Sequence, residues 1–483
     1  MSLKAEDLLF PAASIYSEPD LMFHPERSGD RDEHPLNGLL RFGPYSRALP
    51  GYVTDPIRVA TVVPYGKLGL IHGLLREFEG RHRPRERLNY LPEFKGFSST
   101  FGVRMVVADD GCAFELSRDL GTRLDASPSP HLVLAEEVTR AIAALAANRS
   151  QFDVLIILLP DEWSRAFTGS VNDDFDLHDH IKGITATRGI PSQILLESKA
   201  LAYRCRASVL WRLGIAVYAK AGGLPWKLVN SSPDTAFIGL SYALRNNDNG
   251  GSRFVTCCSQ VFDSDGTGLE FLTYEADEIL VERGNPFLTR AQMRRVMARS
   301  LALYQQRHGG SCPKILTVHK STEFKPDEVE GCFDAWPSVE ALDLIQVQDD
   351  VAWKGIRLEK PKLLMSTKGV PAAYPCVRGT SIQLGGREIL LWTQGDASAA
   401  VGGKHFYKEG KGIPSPLLLR RFAGHGGWDD KCLAILGLTK MDWNNDSLYD
   451  RLPVTLGFAK VLARVVKRMP NLSPRPYQFR FFM

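Results

Sequence analysis

The sequence predicts an α/β protein made of two successive layered units. Three observations carry this. Residues 57–159 read as strand, helix and fully apolar strand. A second series of strands begins near residue 236 and leads into a long basic helix. The chain has 483 residues, 44% of them hydrophobic, which suffices for two or three cores.

Residues 1–50 are rich in Pro, Asp, Glu and Arg and show little periodicity. They are expected to form an irregular segment, bounded at 1–54, that packs on a larger body. The first strand reads from Ile57 to Val63 and stops at Pro64. Apolar spacing predicts a helix over about 132–147. The run at 154–159, closed by Pro160, has no polar alternation, as expected of a parallel strand covered on both faces. A further helix is expected over 191–210, with Pro191 at its first turn. In the second unit, 236–240, 254–262 and 269–274 read as strands, the last two as an antiparallel pair. A basic amphipathic helix follows over 289–307, closed by Gly309 and Gly310, and then a buried strand at 314–318. Strands before a long helix and another strand match a ribonuclease-H-like layout, although periodicity does not separate it from other α/β folds. There is no internal repeat and no low-complexity linker.

The composition excludes several classes. No stretch approaches the roughly 18 apolar residues of a membrane span, and residues 1–11 lack a signal-peptide pattern. A cytoplasmic protein with no membrane partner is expected. Eight cysteines form no CxxC pair, and Cys257 and Cys258 are adjacent. Reduced, mostly buried thiols are expected rather than a metal knuckle. No G-x-G-x-x-G follows a strand, so no NAD is expected in this chain. The net charge of +4 says little, because clustering matters more than the total. Arg81, Arg83, Arg85 and Arg87, and Arg290, Arg294, Arg295 and Arg299, form two clusters. They read equally as solvated faces or as nucleic-acid contacts.

One constellation carries chemistry. His178 and Lys182 stand four apart and share a helix face. Gln193 follows, expected in the first turn of the next helix, and then Lys220 before Ala221-Gly222-Gly223. Two lysines, an imidazole and an amide gathered at a helix N-terminus would hold a terminal phosphate. The plain alternative is exposed lysines and a capping glutamine, and spacing does not decide between the two.

The spacing His178…Lys182…Gln193…Lys220 resembles the guide 5′-phosphate motif of the Argonaute MID domain, in its variant with His at the first position. Lys220 to Trp226 resembles the junction from MID into PIWI. Asn37 to Tyr45 resembles the segment leading into MID, and Phe237-Ile238-Gly239 the first PIWI strand. Phe324 through Phe333 resembles the segment after the central strand. Arg378-Gly379-Thr380, Thr393-Gln394-Gly395 and the run from Gly412 to Pro416 keep the order of late PIWI landmarks. Leu452 to Ala459 resembles the final PIWI helix. The likeness covers about residues 35–483. It implies a Rossmann-like MID domain at 55–222 followed by a ribonuclease-H-like PIWI domain at 223–483. It also implies a short prokaryotic Argonaute, since the N and PAZ domains of long members find no room here.

Active PIWI sites hold divalent cations on carboxylates, the hard ligands such ions require. The first family aspartate falls on Ser241. The second falls on Lys320 or Ser321, and the last on Lys460. The mobile glutamate has no assigned position, and Asp234 reads as a turn residue. The resemblance therefore implies binding without slicing. Lys320, Arg290, Arg294 and Arg295 become candidate contacts to the guide–target backbone. The apolar end, Tyr477 to Met483, is expected to dock in the core. By resemblance the Met483 carboxylate, with Gln193, helps hold a Mg²⁺ beside the guide phosphate.

Family membership further implies RNA-guided recognition of DNA from plasmids or phage. It also implies a separate APAZ-domain partner fused to a sirtuin-like, TIR or nuclease effector, which would carry any enzymatic activity. Two other readings remain at this point. One is a slicing endonuclease with rearranged metal ligands. The other is an unrelated α/β enzyme of small molecules.

Overall fold

The computed structural model describes residues 12–170, 173–229, 234–245, 254–276, 279–359, 369–398, 400–407, 412–444, 447–469 and 476–483. The first elements are β1 (Ala13–Ile15), α1 (Pro35–Phe42), β2 (Ile57–Val63), α2 (Leu68–Phe78), β3 (Met105–Val107) and β4 (Ala113–Glu115). They are followed by α3 (Pro130–Ala146), β5 (Val154–Leu159), α4 (Leu177–Thr187), β6 (Ser192–Leu196) and α5 (Arg206–Lys220).

β2 lies at the centre of the first sheet, parallel to β3, β4 and β5, and β6 is the edge strand beyond β5. Every residue of β5 is buried, because alternate side chains enter different cores. Val154, Ile156 and Leu158 pack with α2 and α5 through Ile71, Phe78 and Trp211. Leu155, Ile157 and Leu159 pack with α3 and α4 through Val138, Ile142 and Ile181. Each such side chain contributes about 1.5–3 kcal/mol on burial.

The helix expected over 191–210 is not formed. Residues 192–196 are the strand β6, a turn of helix covers Glu197–Ala200, and α5 starts at Arg206. Pro191 looked like a helix start. Instead its carbonyl accepts from Leu155 N, and the short apolar run behind it completes a strand–helix–strand crossover through α4.

The second unit contains β7 (Thr235–Arg245), β8 (Phe254–Asp263), β9 (Gly268–Ala276), α6 (Arg290–Arg307), β10 (Ile315–Lys320), α7 (Pro326–Ala335) and β11 (Ala341–Gln348). It continues with β12 (Thr380–Gly385), β13 (Glu388–Leu391), β14 (Leu417–Ala423), α8 (Asp429–Leu438) and α9 (Val454–Arg468). Nine strands form one sheet in the order β1-β12-β13-β14-β11-β10-β7-β8-β9. β7, β10 and β11 are mutually parallel, and the other pairings are antiparallel. Met293, Val296 and Met297 of α6 and Cys332 of α7 cover one face. α8 and α9 cover the other. Gly239 permits the closest approach of α9: a Cβ there would lie 1.9 Å from the Thr455 carbonyl oxygen.

The N-terminal segment is more ordered than its composition suggests. β1 pairs with β12 at the edge of the large sheet. α1 is capped by His34, whose Nδ1 accepts from Leu36 N at 3.2 Å. Glu18 is held between Arg378 at 2.8 Å and Lys440 at 2.9 Å. Among the described residues five of six free cysteines are buried, Cys312 being exposed. The Cys257 and Cys258 side chains lie outside the described set. No described helix is long and apolar enough to cross a membrane.

Candidate nucleic-acid interface

The edge strand β6 lets the two helical layers meet. Lys182 comes around the edge from α4 on one face, and Lys220 from the last turn of α5 on the other. Both are buried, at 2% and 1% exposure. Lys182 Nζ donates to Ser192 O at 2.8 Å and to the Met483 main-chain oxygen. Lys220 Nζ donates to Gln193 Oε1 at 2.5 Å and to Asn444 Oδ1 at 3.3 Å. Gln193 reaches Lys220 because it sits on a strand. Its register partner is Ile156, whose side chain faces the α5 layer. The expected helix N-terminus is therefore not part of the site, and its donors are lysine ammonium groups.

The electrostatics favour an anion. Burial pushes the Lys182 ammonium down to about 7. Burial, with the neighbouring Lys182, pushes Lys220 well below its ordinary value, while Asp442 opposes this. Burial in turn raises Asp442. An oxyanion placed between the two lysines would favour their charged forms, and so be bound together with protons.

His178 stands one turn before Lys182 on α4, half-exposed, with its Nδ1 3.4 Å from Asp179 Oδ1. Its ring is at the rim of the lysine cluster, not in it. Asp176, His178 and Asp179 bring ligand atoms within 4.8 Å of one another. The Asp179 carboxylate is already held by Arg464 at 2.8 Å and by Arg468, so this cluster is an ion network joining α4 to α9, not a cation site. Gln193 Oε1 and the Met483 oxygen are of the type a hard cation accepts. Each already takes a lysine proton, so an ion there would need a bound phosphate to balance it.

The positions expected to align with the family's carboxylates lie elsewhere. Gly239 and His319 face α9, the latter through Nδ1 to Thr455 Oγ1 at 3.0 Å. Ser241, two residues on from Gly239 in β7, takes the same side, and Ser321 follows the last residue of β10. Lys460 of α9 sits 3.2 Å from Asp349, both partly exposed.

Lys320 points the other way. It is 1% exposed and pairs with Glu328 at 2.6 Å inside a cage of Tyr242, Phe287 and Phe324. It cannot serve as a backbone-phosphate contact while so buried. Arg290 is bound by Glu330 and Asp334, and α6, which also carries exposed Arg294 and Arg295, covers the face of the sheet opposite α9. The structure therefore does not gather these four residues with Ser241 and Ser321. In the loop at 81–87, Arg83 is exposed and lies 3.6 Å from Glu93.

Sequence reasoning missed Asn444. It sits between α8 and α9 with no motif around it, and only the fold brings it to Lys220. A cavity of about 320 Å³ opens beside this pair, lined by Gln193, Asn444, Leu195, Leu213, Lys199 and Arg212.

No protein-family model matches the sequence, and no curated protein matches it. Solved structures do. The chain is similar to Clostridium butyricum Argonaute bound to a guide DNA (5′ deoxycytidine) and a 19-mer target DNA, with TM-score 0.65 and 15% identity over 98% of this chain and 55% of that one. It is similar to Aa-Ago with externally bound siRNA (TM-score 0.63, 16% identity, 97% of this chain and 56% of that one). It is also similar to A. aeolicus Argonaute (TM-score 0.63, 16% identity, 98% of this chain and 56% of that one). The fold is thus a Rossmann-like layer followed by a ribonuclease-H-like layer, as in the MID and PIWI parts of Argonautes. The chain spans a little over half the length of these proteins.

Proposed function

We propose that this chain captures the 5′-phosphorylated end of a guide strand and uses the guide to recognise a complementary strand, without cutting it. The observation that carries this is the pair of buried lysines at the edge strand β6, Lys182 held by Ser192 O and the Met483 main-chain oxygen and Lys220 by Gln193 and Asn444, in a fold that 98% of this chain shares with an Argonaute bound to guide and target. Residues 55–222 would hold the guide end and 223–483 the duplex, with 1–54 bracing the second unit. Sequence would be read by base pairing, and the protein would contact shape and backbone.

Ser241, Ser321 and Lys460 support the absence of slicing. A hydroxyl and an ammonium replace the carboxylates that hold catalytic cations. A Mg²⁺ is proposed to enter only together with the guide phosphate, held by Gln193 and Met483, where it would neutralise phosphate charge. We assign the chain to the short prokaryotic type, with RNA as guide and single-stranded DNA as target. A recogniser that cannot cut needs an effector. The reading places that activity in an APAZ-domain partner with a sirtuin-like, TIR or nuclease domain, acting in the cytoplasm by NAD⁺ depletion or nucleic-acid degradation against plasmids or phage.

The test is to load the protein with a 5′-phosphorylated RNA and offer labelled matched and mismatched single-stranded DNA with Mg²⁺ or Mn²⁺. Selective retention of intact matched DNA is expected. Cut matched DNA would instead support the endonuclease reading. With the partner present, NAD⁺ loss or nucleic-acid degradation should require both guide and matched target.

A further inference from the structure

Helix α9 belongs to the second unit but ends on the first. Near its start, the Thr455 carbonyl lies against Gly239 of β7, and Thr455 Oγ1 meets His319 Nδ1. Its 15 residues then run about 22 Å. Its last two turns meet α4, the helix that carries His178 and Lys182. Arg464 Nε donates to the two Asp179 oxygens at 3.1 and 2.8 Å, and Arg468 donates to the same carboxylate. Lys467 and Arg468 also hold Asp174, just before α4. Met469, which closes α9, packs on Gly183: a Cβ there would lie 2.7 Å from Met469 Cγ.

Asp179 is the centre of this contact. Its side chain is 0% exposed, whereas Arg464 is half-exposed. Burial acts to raise its carboxyl, but His178, Arg464 and Arg468 outweigh it and hold the group below its ordinary range. Asp179 N donates to Asp176 Oδ1 at 3.0 Å, which closes the first turn of α4 around the same residue. A buried charge held this way cannot leave its partners without a large penalty. Asp179 and Gly183 stand four apart and form the stripe of α4 that α9 covers. His178 and Lys182 form the neighbouring stripe, one residue earlier at each position. Fixing the first stripe fixes the direction in which the second one points.

We propose that Asp179 is a positioning residue for the guide end, set from the second unit by Arg464 and Arg468. This rests on the guide-end reading above. The rotation of α4 that aims His178 and Lys182 then depends on where α9 lies. The dependence runs both ways, since coupled sites are reciprocal: a phosphate that fixes α4 also steadies the end of α9.

The test uses the full chain and one RNA carrying either a 5′-phosphate or a 5′-hydroxyl. The variant Asp179→Asn/Arg464→Met/Arg468→Met removes the whole charge network, because replacing a buried network entire is far milder than stranding one member. Fluorescence anisotropy gives the affinity ratio of the two RNAs, and hydrogen exchange gives the protection of α9. In wild type the phosphorylated RNA should protect amides at 461–469 more than the hydroxyl RNA does. In the variant that difference should vanish. The phosphate preference should fall about tenfold, as for the loss of one charge-assisted hydrogen bond, with hydroxyl-RNA affinity unchanged. Gly183→Ala suits a helix interior but pushes on Met469. It should also lower the preference, and Gly183→Ala/Met469→Ala should restore it. A preference kept in full by the folded triple variant, or by Gly183→Ala should the triple variant not fold, overturns the assignment. So does α9 protection that is the same for both RNAs in wild type. A wild type that ignores the 5′-phosphate overturns the guide-end reading instead.

Discussion

Replacing Glu18 with Gln should loosen the N-terminal segment from the large sheet. Its carboxylate lies between Arg378 and Lys440, whose side chains are 1% and 0% exposed. Arg378 also donates to Leu436 O, Thr393 O and Thr439 Oγ1, so it cannot turn to solvent. Burial acts to raise the Glu18 carboxyl, but Arg378 and Lys440 outweigh it and hold the group at about 2. Against the usual 4.5, the depression corresponds to about 3 kcal/mol. The folded value lies below the unfolded one. The stabilisation is therefore complete above pH 4.5 and drains away as the pH falls toward 2. Glu18→Gln mimics the protonated acid and leaves two buried cations uncompensated, a change that costs about 3–5 kcal/mol where measured for buried pairs. Urea unfolding at pH 7 should show a loss of about 3 kcal/mol, shrinking steadily below pH 4.5. Adding Lys440→Met should recover part of it. A loss below about 1 kcal/mol at pH 7, the range of an exposed pair, or a gap that does not shrink on acidification, would refute the reasoning.

Other consequences concern the lysines. Because burial holds free Lys182 at about 7, a bound phosphate must recruit a proton as the pH rises above that value. Affinity for a 5′-phosphorylated oligonucleotide should fall between pH 7 and 9, by up to about tenfold per unit. Calorimetry in buffers of differing ionisation heat should register proton uptake, and pH-independent binding without uptake would contradict this. Lys320→Met strands Glu328 in the core and should cost about 3–5 kcal/mol in thermal or urea unfolding. The salt dependence of target binding by the folded fraction should be unchanged, whereas a shallower salt slope would restore Lys320 as a phosphate contact.

What the sequence revealed depended on how local the signal was. β5 was legible because six consecutive apolar residues permit little else, and α3 and α6 because their apolar spacing repeats over several turns. β6 was misread: Pro191 followed by a short apolar run fits a helix start as well as an edge strand, and only pairing with β5 decides. The N-terminal segment looked irregular because its order comes from distant partners, β12 for β1 and Arg378 with Lys440 for Glu18. Spacing alone left the lysine pair undecided and the family resemblance singled it out, but its setting was not legible, since Gln193 came from a strand and Asn444 from more than 200 residues away. Lys320 and Ser321 were interchangeable in one dimension. The strand end separates them: Lys320, the last residue of β10, points to Glu328, and Ser321 stands just beyond it.

The most direct test of the account is binding of short RNAs with and without a 5′-phosphate to wild type and to a Lys182→Ala/Lys220→Ala variant. The account predicts a strong 5′-phosphate preference in the wild type that disappears in the folded variant, with weak end-independent binding left in both. Equal binding of phosphorylated and unphosphorylated ends by the wild type would contradict it and remove the guide pocket on which the proposed function stands.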